Sequence, residues 1–298
     1  MLSILIPVYR FDYHSLLDEL VIQCRNLQID FEILVGDDSG YPDNQNPLIQ
    51  NEVEGQVKIF KRTKPLGRSA NRNDLASRAC YRYLLFIDGD AGMVDKGYVK
   101  RYLDAARPGA EVICGGTQYA SYKPDEKDLV LRWKYGSHRE AIPAAKRKRN
   151  PYRSFSSFNF MIARELFLSV KFNEEVVRYG HEDTLFGLAL KDRGVAIVHI
   201  ENALEHLGLE PANLFLMKSH EAIENLLELY RNGTLNRKAL REIGLLHTYE
   251  KVRKFRLQGL LRWFYRHSSD RVIRNLQSRH PCLLWFDWYK LGYLLTIG

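Results

Sequence analysis

Asp88-Gly89-Asp90 follows the apolar run Tyr83-Leu84-Leu85-Phe86-Ile87, so two carboxylates emerge together where a run of strand length ends. Hard oxygen donors in that place suit Mg²⁺ or Mn²⁺ carrying a diphosphate, and the small Gly89 lets a ligand approach the backbone. The competing reading is that these aspartates only cap the next helix. Asp37 and Asp38 close a second apolar run, either as an Asx turn with Ser39-Gly40 or as part of one acidic rim with Asp88 and Asp90. Four acids on one rim repel each other unless cations or ligand donors intervene. Gly67-Arg68-Ser69-Ala70-Asn71-Arg72-Asn73 opens a helical stretch whose free N–H groups and guanidinium groups would accept an anion, although Arg68 alone also fits a solvated surface charge. Gly180-His181-Glu182-Asp183 begins another helix. Acids in a first turn either complement the helix dipole or supply a carboxylate base, with Gly180 permitting close approach of a substrate. His199 and His206 flank residues 200–205, and either imidazole could complete a metal site shared with Asp90 and phosphate oxygens. His206 is the better placed, while His199 reads as a structural histidine.

Such residues need a frame. Apolar runs at Leu2 to Val8, Phe31 to Asp37, Val57 to Lys61, Tyr83 to Ile87 and Glu111 to Cys114 read as strands. They are apolar throughout, as in a sheet buried on both faces. Between them Ser15 to Leu27, Ser69 to Arg82 and Lys96 to Ala106 carry apolar residues at helical spacing, which predicts a mostly parallel sheet covered by helices. In such a sheet ligands sit at the carboxyl-end loops, where the acids above fall. From Tyr119 to Arg153 the periodicity fades, and Lys146-Arg147-Lys148-Arg149 reads as a mobile basic loop over the sheet. Order returns with Ser156 to Ile162, a helix over Glu182 to Arg193 and a strand over Ala196 to Ile200. Beyond Pro211 the pattern is helical, so residues 1–210 and 211–298 are expected to form an α/β domain and a C-terminal helical extension.

Composition narrows the class. The 298 residues are 45% apolar and 27% charged, which excludes a disordered or collagen-like chain. No window approaches 18 uninterrupted apolar residues, and the run Leu2 to Val8 is short, contains Pro7 and has no basic residues before it, so neither a transmembrane helix nor a signal peptide is expected. Cys24, Cys80, Cys114 and Cys282 are scattered without metal-binding or disulfide spacing, pointing to a reducing cytosol. The net charge of +8 is uneven: residues 231–280 hold 13 Lys or Arg against Glu242, Glu250 and Asp270.

Taken together, Ser3-Ile4-Leu5-Ile6-Pro7-Val8-Tyr9, Glu32 to Ser39, Ala70-Asn71-Arg72-Asn73, Phe86 to Asp90 and Gly180 to Asp183 resemble, in order and spacing, a family 2 glycosyltransferase of the GT-A fold. The resemblance covers Met1 to Leu209 and implies a Rossmann-like nucleotide-sugar-binding catalytic domain. It further implies an inverting, metal-dependent hexosyltransferase that moves a sugar from a nucleotide-sugar, a UDP-sugar by expectation, to a hydroxyl of a saccharide or lipid-linked acceptor. By the same resemblance Pro7 and Tyr9 border the nucleoside, Asp38 accepts from the base, Arg72 reaches the base or diphosphate, and Asp88 holds the ribose. Asp90 and His206 bind Mn²⁺ or Mg²⁺, Glu182 helps place the acceptor, and Asp183 is the catalytic base. Synthesis of surface polysaccharide or lipopolysaccharide is the implied setting.

The tail adds a second theme. Lys251 to Arg266 interleaves cations with large apolar residues, and Leu283 to Tyr289 is densely aromatic. Such helices either lie in an anionic membrane interface, which would make the protein peripheral on the inner face of the cell membrane, or pack on the catalytic domain. Nucleic-acid binding through the same cations is a further class, disfavoured by the acidic rim, and a non-catalytic nucleotide-sugar-binding module is another.

Overall fold

The computed structural model describes residues 1–40, 50–52, 55–176, 178–235 and 242–298. Arg237, Lys238 and Arg241 of the basic stretch lie outside the described residues. From the N-terminus follow β1 (Leu2–Val8), α1 (His14–Asn26), β2 (Phe31–Asp37), β3 (Gln50–Glu52), β4 (Val57–Lys61), α2 (Arg68–Arg78) and β5 (Tyr83–Ile87). Next come β6 (Ala91–Gly92), α3 (Tyr98–Ala105), β7 (Val112–Cys114), β8 (Thr117–Gln118), α4 (Val130–Tyr135), α5 (Ala144–Arg147), β9 (Asn159–Ala163) and α6 (Arg164–Val170). Then α7 (Glu182–Asp192), β10 (Ile197–His199) and β11 (Leu204–His206) lead to α8 (Ala212–Arg231), α9 (Gly244–Lys254), α10 (Gln258–Leu276) and α11 (Leu283–Ile297). The chain forms two compact units, one of Met1–Tyr119, Ala141–Val177 and Glu182–Gly208, the other of Ala120–Glu140, Arg178–His181 and Leu209–Gly298.

The first unit is a mostly parallel sheet of the GT-A type, in the strand order β10-β7-β9-β5-β1-β2-β4-β3. Alternation along β1 shows why it is covered twice. Leu2, Ile4, Ile6 and Val8 join Leu16, Leu20, Val99 and Tyr102 of α1 and α3 on one face. Leu5 points the other way, into the cluster of Leu75 from α2, Phe167 from α6 and Phe186 from α7. β1 pairs in parallel with β2 and β5, matching Leu5 to Leu34 and to Phe86, so the carboxyl ends of all three lie side by side. Two strands depart from the parallel pattern: β9 runs antiparallel between β5 and β7, and β3 pairs antiparallel with β4 at the edge. A small second sheet, in the order β6-β11-β8, seats His206 opposite Ala91.

The basic loop expected at residues 146–149 is corrected. Arg147 is only 4% exposed, and its guanidinium donates to the carbonyls of Ile142 at 2.9 Å, Cys114 at 3.1 Å, Gly115 at 2.9 Å and Ile200 at 2.7 Å. It also meets His199 Nδ1 at 2.8 Å, while His199 Nε2 bonds the Pro151 carbonyl at 3.0 Å. The carbonyls of Cys114, Gly115 and Ile200 also accept backbone N–H groups, from Ile200 and Asn202, so the buried cation adds a second, charge-assisted donor to each and ties the strand ends together. Both residues are thereby structural, and burial together with Arg147 holds the His199 imidazole below its usual pKa.

The second unit has a core of its own, in which Leu131 of α4 and Phe215 of α8 meet Tyr265 and Leu276 of α10 and Phe286 and Tyr289 of α11. Gly292 lies so close to the Tyr265 ring that a Cβ would overlap it. Part of the aromatic density at Leu283 to Tyr289 is therefore core packing. No described helix is long and apolar enough to cross a membrane.

Candidate active site

Three strand ends supply the floor of the site. After β5, Gly89 N–H donates to the Pro7 carbonyl at 3.0 Å, tying the Asp88-Gly89-Asp90 turn to the end of β1. A Cβ on Gly89 would come within 2.8 Å of Val8 Cγ2. The glycine is thus required for packing on β1, which corrects the expectation that it leaves room for a ligand. After β2, Asp38 N–H donates to the Val8 carbonyl at 2.9 Å.

The acids do not stand as one open rim. Asp37 Oδ1 accepts from the Ser39 N–H at 3.1 Å and from its hydroxyl at 2.5 Å, which is the Asx turn. Asp38 is buried, and its oxygens accept from the Leu66 N–H at 2.6 Å and the Gly67 N–H at 2.8 Å. Both amides belong to the loop that leads into α2. Tyr9, by contrast, is 58% exposed beyond the end of β1, and Pro7 is partly exposed beside it.

Arg72 lies at the centre of the remaining groups. It rises from α2, is nearly fully buried, and its guanidinium is ion-paired with Asp88. Burial works against its charge, but Asp88, Asp183 and Glu182 more than offset this and hold its pKa above the ordinary value. Burial also pushes the Asp88 carboxyl up, with Arg72 pulling it back and Asp90 raising it further. These mutual influences place Asp88, Glu182 and Asp183 around one guanidinium, with Asp90 beside Asp88, although Arg72 and Asp183 are 111 positions apart in the chain.

Asp183 stands in the first turn of α7. Its Oδ2 accepts from the Ser157 N–H at 3.1 Å, and its Oδ1 is buried with no hydrogen-bond partner among the described residues. Burial and then Glu182 push its pKa up to about 6, against the pull of Arg72 and Ser157. Glu182 itself faces Arg68 Nη1 at 3.5 Å. Just before them His181 takes a left-handed φ of 71° and Gly180 a φ of 87°. A Cβ on Gly180 would lie 2.9 Å from Ala222 Cβ, so this glycine answers a backbone and packing need in the second unit.

Asp90 and His206 meet across the β6–β11 pair, with His206 Nε2 at 3.5 Å from Asp90 Oδ2. The imidazole is held between aromatic rings, 5.3 Å from Tyr119 and 5.4 Å from Phe158. Gly208 leaves the carboxylate room, because a Cβ there would overlap Asp90 Oδ2. One hard oxygen donor and one imidazole suit Mn²⁺, with the other positions left to phosphate oxygens. Among the described residues no group of three or more His, Cys, Asp or Glu forms a complete protein cage.

Sequence reading did not find Ser157, Tyr119 and Phe158, because nothing local marks a residue whose partner is far along the chain. Gly208 carried a faint signal, two positions after His206. Asn159 was also missed. It receives the Tyr98 and Tyr102 hydroxyls at 2.6 Å each and donates to the Asn202 carbonyl at 2.8 Å, anchoring the loops that lead to β8 and β11.

Comparison with known proteins agrees with this geometry. The sequence profile described as "Glycosyl transferase family 2" matches residues 3–170, a span that includes the three strand ends and Arg72 but stops short of Asp183 and His206. Comparison with curated sequences gives no match. Among solved structures, the mannosyltransferase PcManGT from Pyrobaculum calidifontis, in complex with GDP-Man and Mn²⁺, is 12% identical, with 99% of this chain and 84% of that chain covered and a TM-score of 0.56. Mannosyl-3-phosphoglycerate synthase from Rubrobacter xylanophilus is 15% identical, with 80% and 76% covered and a TM-score of 0.50. S. aureus TarS is 15% identical with a TM-score of 0.45, covering 76% of this chain, which spans 39% of TarS. The match over more than half of the chain, on a sheet whose strand ends gather these acids around Arg72, makes the chain a member of glycosyl transferase family 2.

Proposed function

We propose that the chain transfers a sugar from a nucleoside diphosphate sugar to an acceptor hydroxyl by single displacement, with Asp183 as the base. The observation that carries this is the buried, unbonded Oδ1 of Asp183, held beside Glu182 and opposite the Arg72–Asp88 pair. A carboxylate with a pKa near 6 is ionised at neutral pH yet basic enough to take a hydroxyl proton as the new bond forms. The acceptor oxygen attacks the anomeric carbon from the side opposite the phosphate, so configuration inverts. The proton passes to Asp183 Oδ1, and the bonding pair leaves with the diphosphate.

Pro7 and Tyr9 border the nucleoside, the exposed Tyr9 ring offering a stacking face. Asp88 holds the ribose, and Arg72 positions Asp88 and opposes the upward push that burial gives its pKa; direct reach to the diphosphate would need the guanidinium to leave this pair. Asp38 braces the loop at Leu66 and Gly67, setting the edge of the base pocket. Glu182 helps place the acceptor. Asp90 and His206 would hold the divalent ion, which when bound neutralises charge on the leaving diphosphate. PcManGT, of the same fold, is described in complex with GDP-Man and Mn²⁺, which supports a sugar nucleotide and a divalent ion here. A UDP-sugar is the expected donor, and a saccharide or lipid-linked hydroxyl the expected acceptor.

Calorimetric titration with UDP- and GDP-sugars, with and without Mn²⁺, tests this. One donor should bind more tightly with Mn²⁺, and Asp90→Ala should abolish the difference. Failure of every sugar nucleotide to bind would refute the proposal.

A further inference from the structure

We propose that the first half of α10, with the turn leading into it, docks on the headgroup region of an anionic lipid bilayer. Two independent features of the second unit point there. The first is an apolar ridge left uncovered: Phe255 is 66% exposed, Leu257 43%, Leu260 55%, Trp263 54% and Phe264 49%. Leu260, Trp263 and Phe264 recur at helical spacing on the side of α10 opposite Tyr265, Val272 and Leu276, which are buried in the core. This helix thus spends one apolar stripe on the core and presents a second to solvent. Contiguous exposed rings and leucines of this kind mark an interaction surface.

The second feature is charge. Residues 251–269 contain no Asp or Glu, while Lys251, Arg253, Lys254, Arg256 and Arg266 are all exposed along the same segment. Arg253 has Glu250 at 3.2 Å, and the other four have no acidic partner among the described residues. Cations therefore precede and follow the apolar ridge along the chain. That is what an interfacial helix requires, with rings and leucines at the acyl boundary and cations on the lipid phosphates. Leu257 and Leu260 also decide between polyanions. They give a nucleic acid nothing to stack on or hydrogen-bond, whereas acyl chains accept them as readily as Trp263 and Phe264. No described helix can cross the bilayer, so the segment would lie along its surface.

The test uses the full chain and needs no sugar donor, so its outcome is separate from that of the transfer reaction. In flotation, the protein should rise with vesicles of phosphatidylcholine and phosphatidylglycerol and stay behind with phosphatidylcholine alone. Tryptophan emission should shift to the blue on binding, and Trp263→Phe should remove most of that shift. Trp263→Ser with Phe264→Ser should weaken binding roughly tenfold or more while the thermal melt stays unchanged, because both side chains are half-exposed. Lys254→Glu with Arg256→Glu should weaken it comparably. Absence of flotation with anionic vesicles at moderate salt would overturn the proposal. So would vesicle binding that survives the double serine variant, a concentration-dependent dimer that this variant abolishes, or tight binding to RNA or DNA without vesicle binding.

Discussion

Asp183→Asn should separate catalysis from stability. An ordinary aspartate titrates near 3.8, but here burial and Glu182 move the value to about 6. Between those values the unfolded chain holds fewer protons than the folded one, so this group's contribution to stability falls as pH rises from about 4 to about 6 and is absent at neutral pH. A displacement of that size corresponds to about 3 kcal/mol at most. The residue is partly exposed and Oδ2 keeps the Ser157 N–H, so a net of about 1–2 kcal/mol is expected. An asparagine carries no charge into the site. At pH 7.5 the variant should therefore melt above the parent by roughly 2–6 °C, and at pH 4.5 only about a third of that gain should remain. Comparing the pair at each pH cancels the titration of every other carboxylate. Transfer should fall by roughly 10²–10⁴-fold because the amide cannot accept the proton. In the parent, kcat/KM should rise with pH through an inflection near 6, and Glu182→Gln should move that limb to lower pH by removing the neighbouring negative charge. A gain in melting temperature that is the same at both pH values, or near-normal turnover, would refute the reasoning.

Two further substitutions test how the site is built. Gly208→Ala would place a methyl against Asp90 Oδ2 and turn the carboxylate, so Mn²⁺-dependent donor binding should weaken roughly tenfold while the melting curve changes little. Unchanged Mn²⁺ dependence by calorimetry would remove Gly208 from that role. Arg147→Met would remove the charged second donor from the carbonyls of Cys114, Gly115 and Ile200, which keep their backbone N–H partners, and should cost about 1–3 kcal/mol in urea denaturation. A loss under about 1 kcal/mol would mean that water takes the place of the guanidinium.

Much of the frame is legible in the residues alone. β1, β2, β4 and β5 have the bounds their apolar runs predict, because a strand buried on both faces must be apolar throughout and turn residues mark where it stops. Parallel pairing then requires that the acids after β2 and β5 reach the same edge, and the structure puts them there. What periodicity could not show is which partner each acid takes. Asp37 and Asp38 look like Asp88 and Asp90 in sequence, yet the former pair is engaged by Ser39 and by the Leu66 and Gly67 amides, whereas Asp88 is paired with Arg72 and Asp90 faces His206.

The interior of charged segments was equally hidden. Lys146-Arg147-Lys148-Arg149 carries no mark that one of its four cations turns inward to bind strand-end carbonyls more than 30 residues away. Likewise Phe286 and Trp263 belong to similar aromatic stretches, but one is buried in the core of the second unit and the other faces solvent. Sequence thus determined the sheet, its strand ends and the kinds of group gathered there, since those follow from hydrophobic period and turn chemistry within a few neighbours. Only the tertiary structure decided which groups are paired, buried or exposed, because hydrogen bonding and desolvation depend on partners that the chain brings together across a hundred residues.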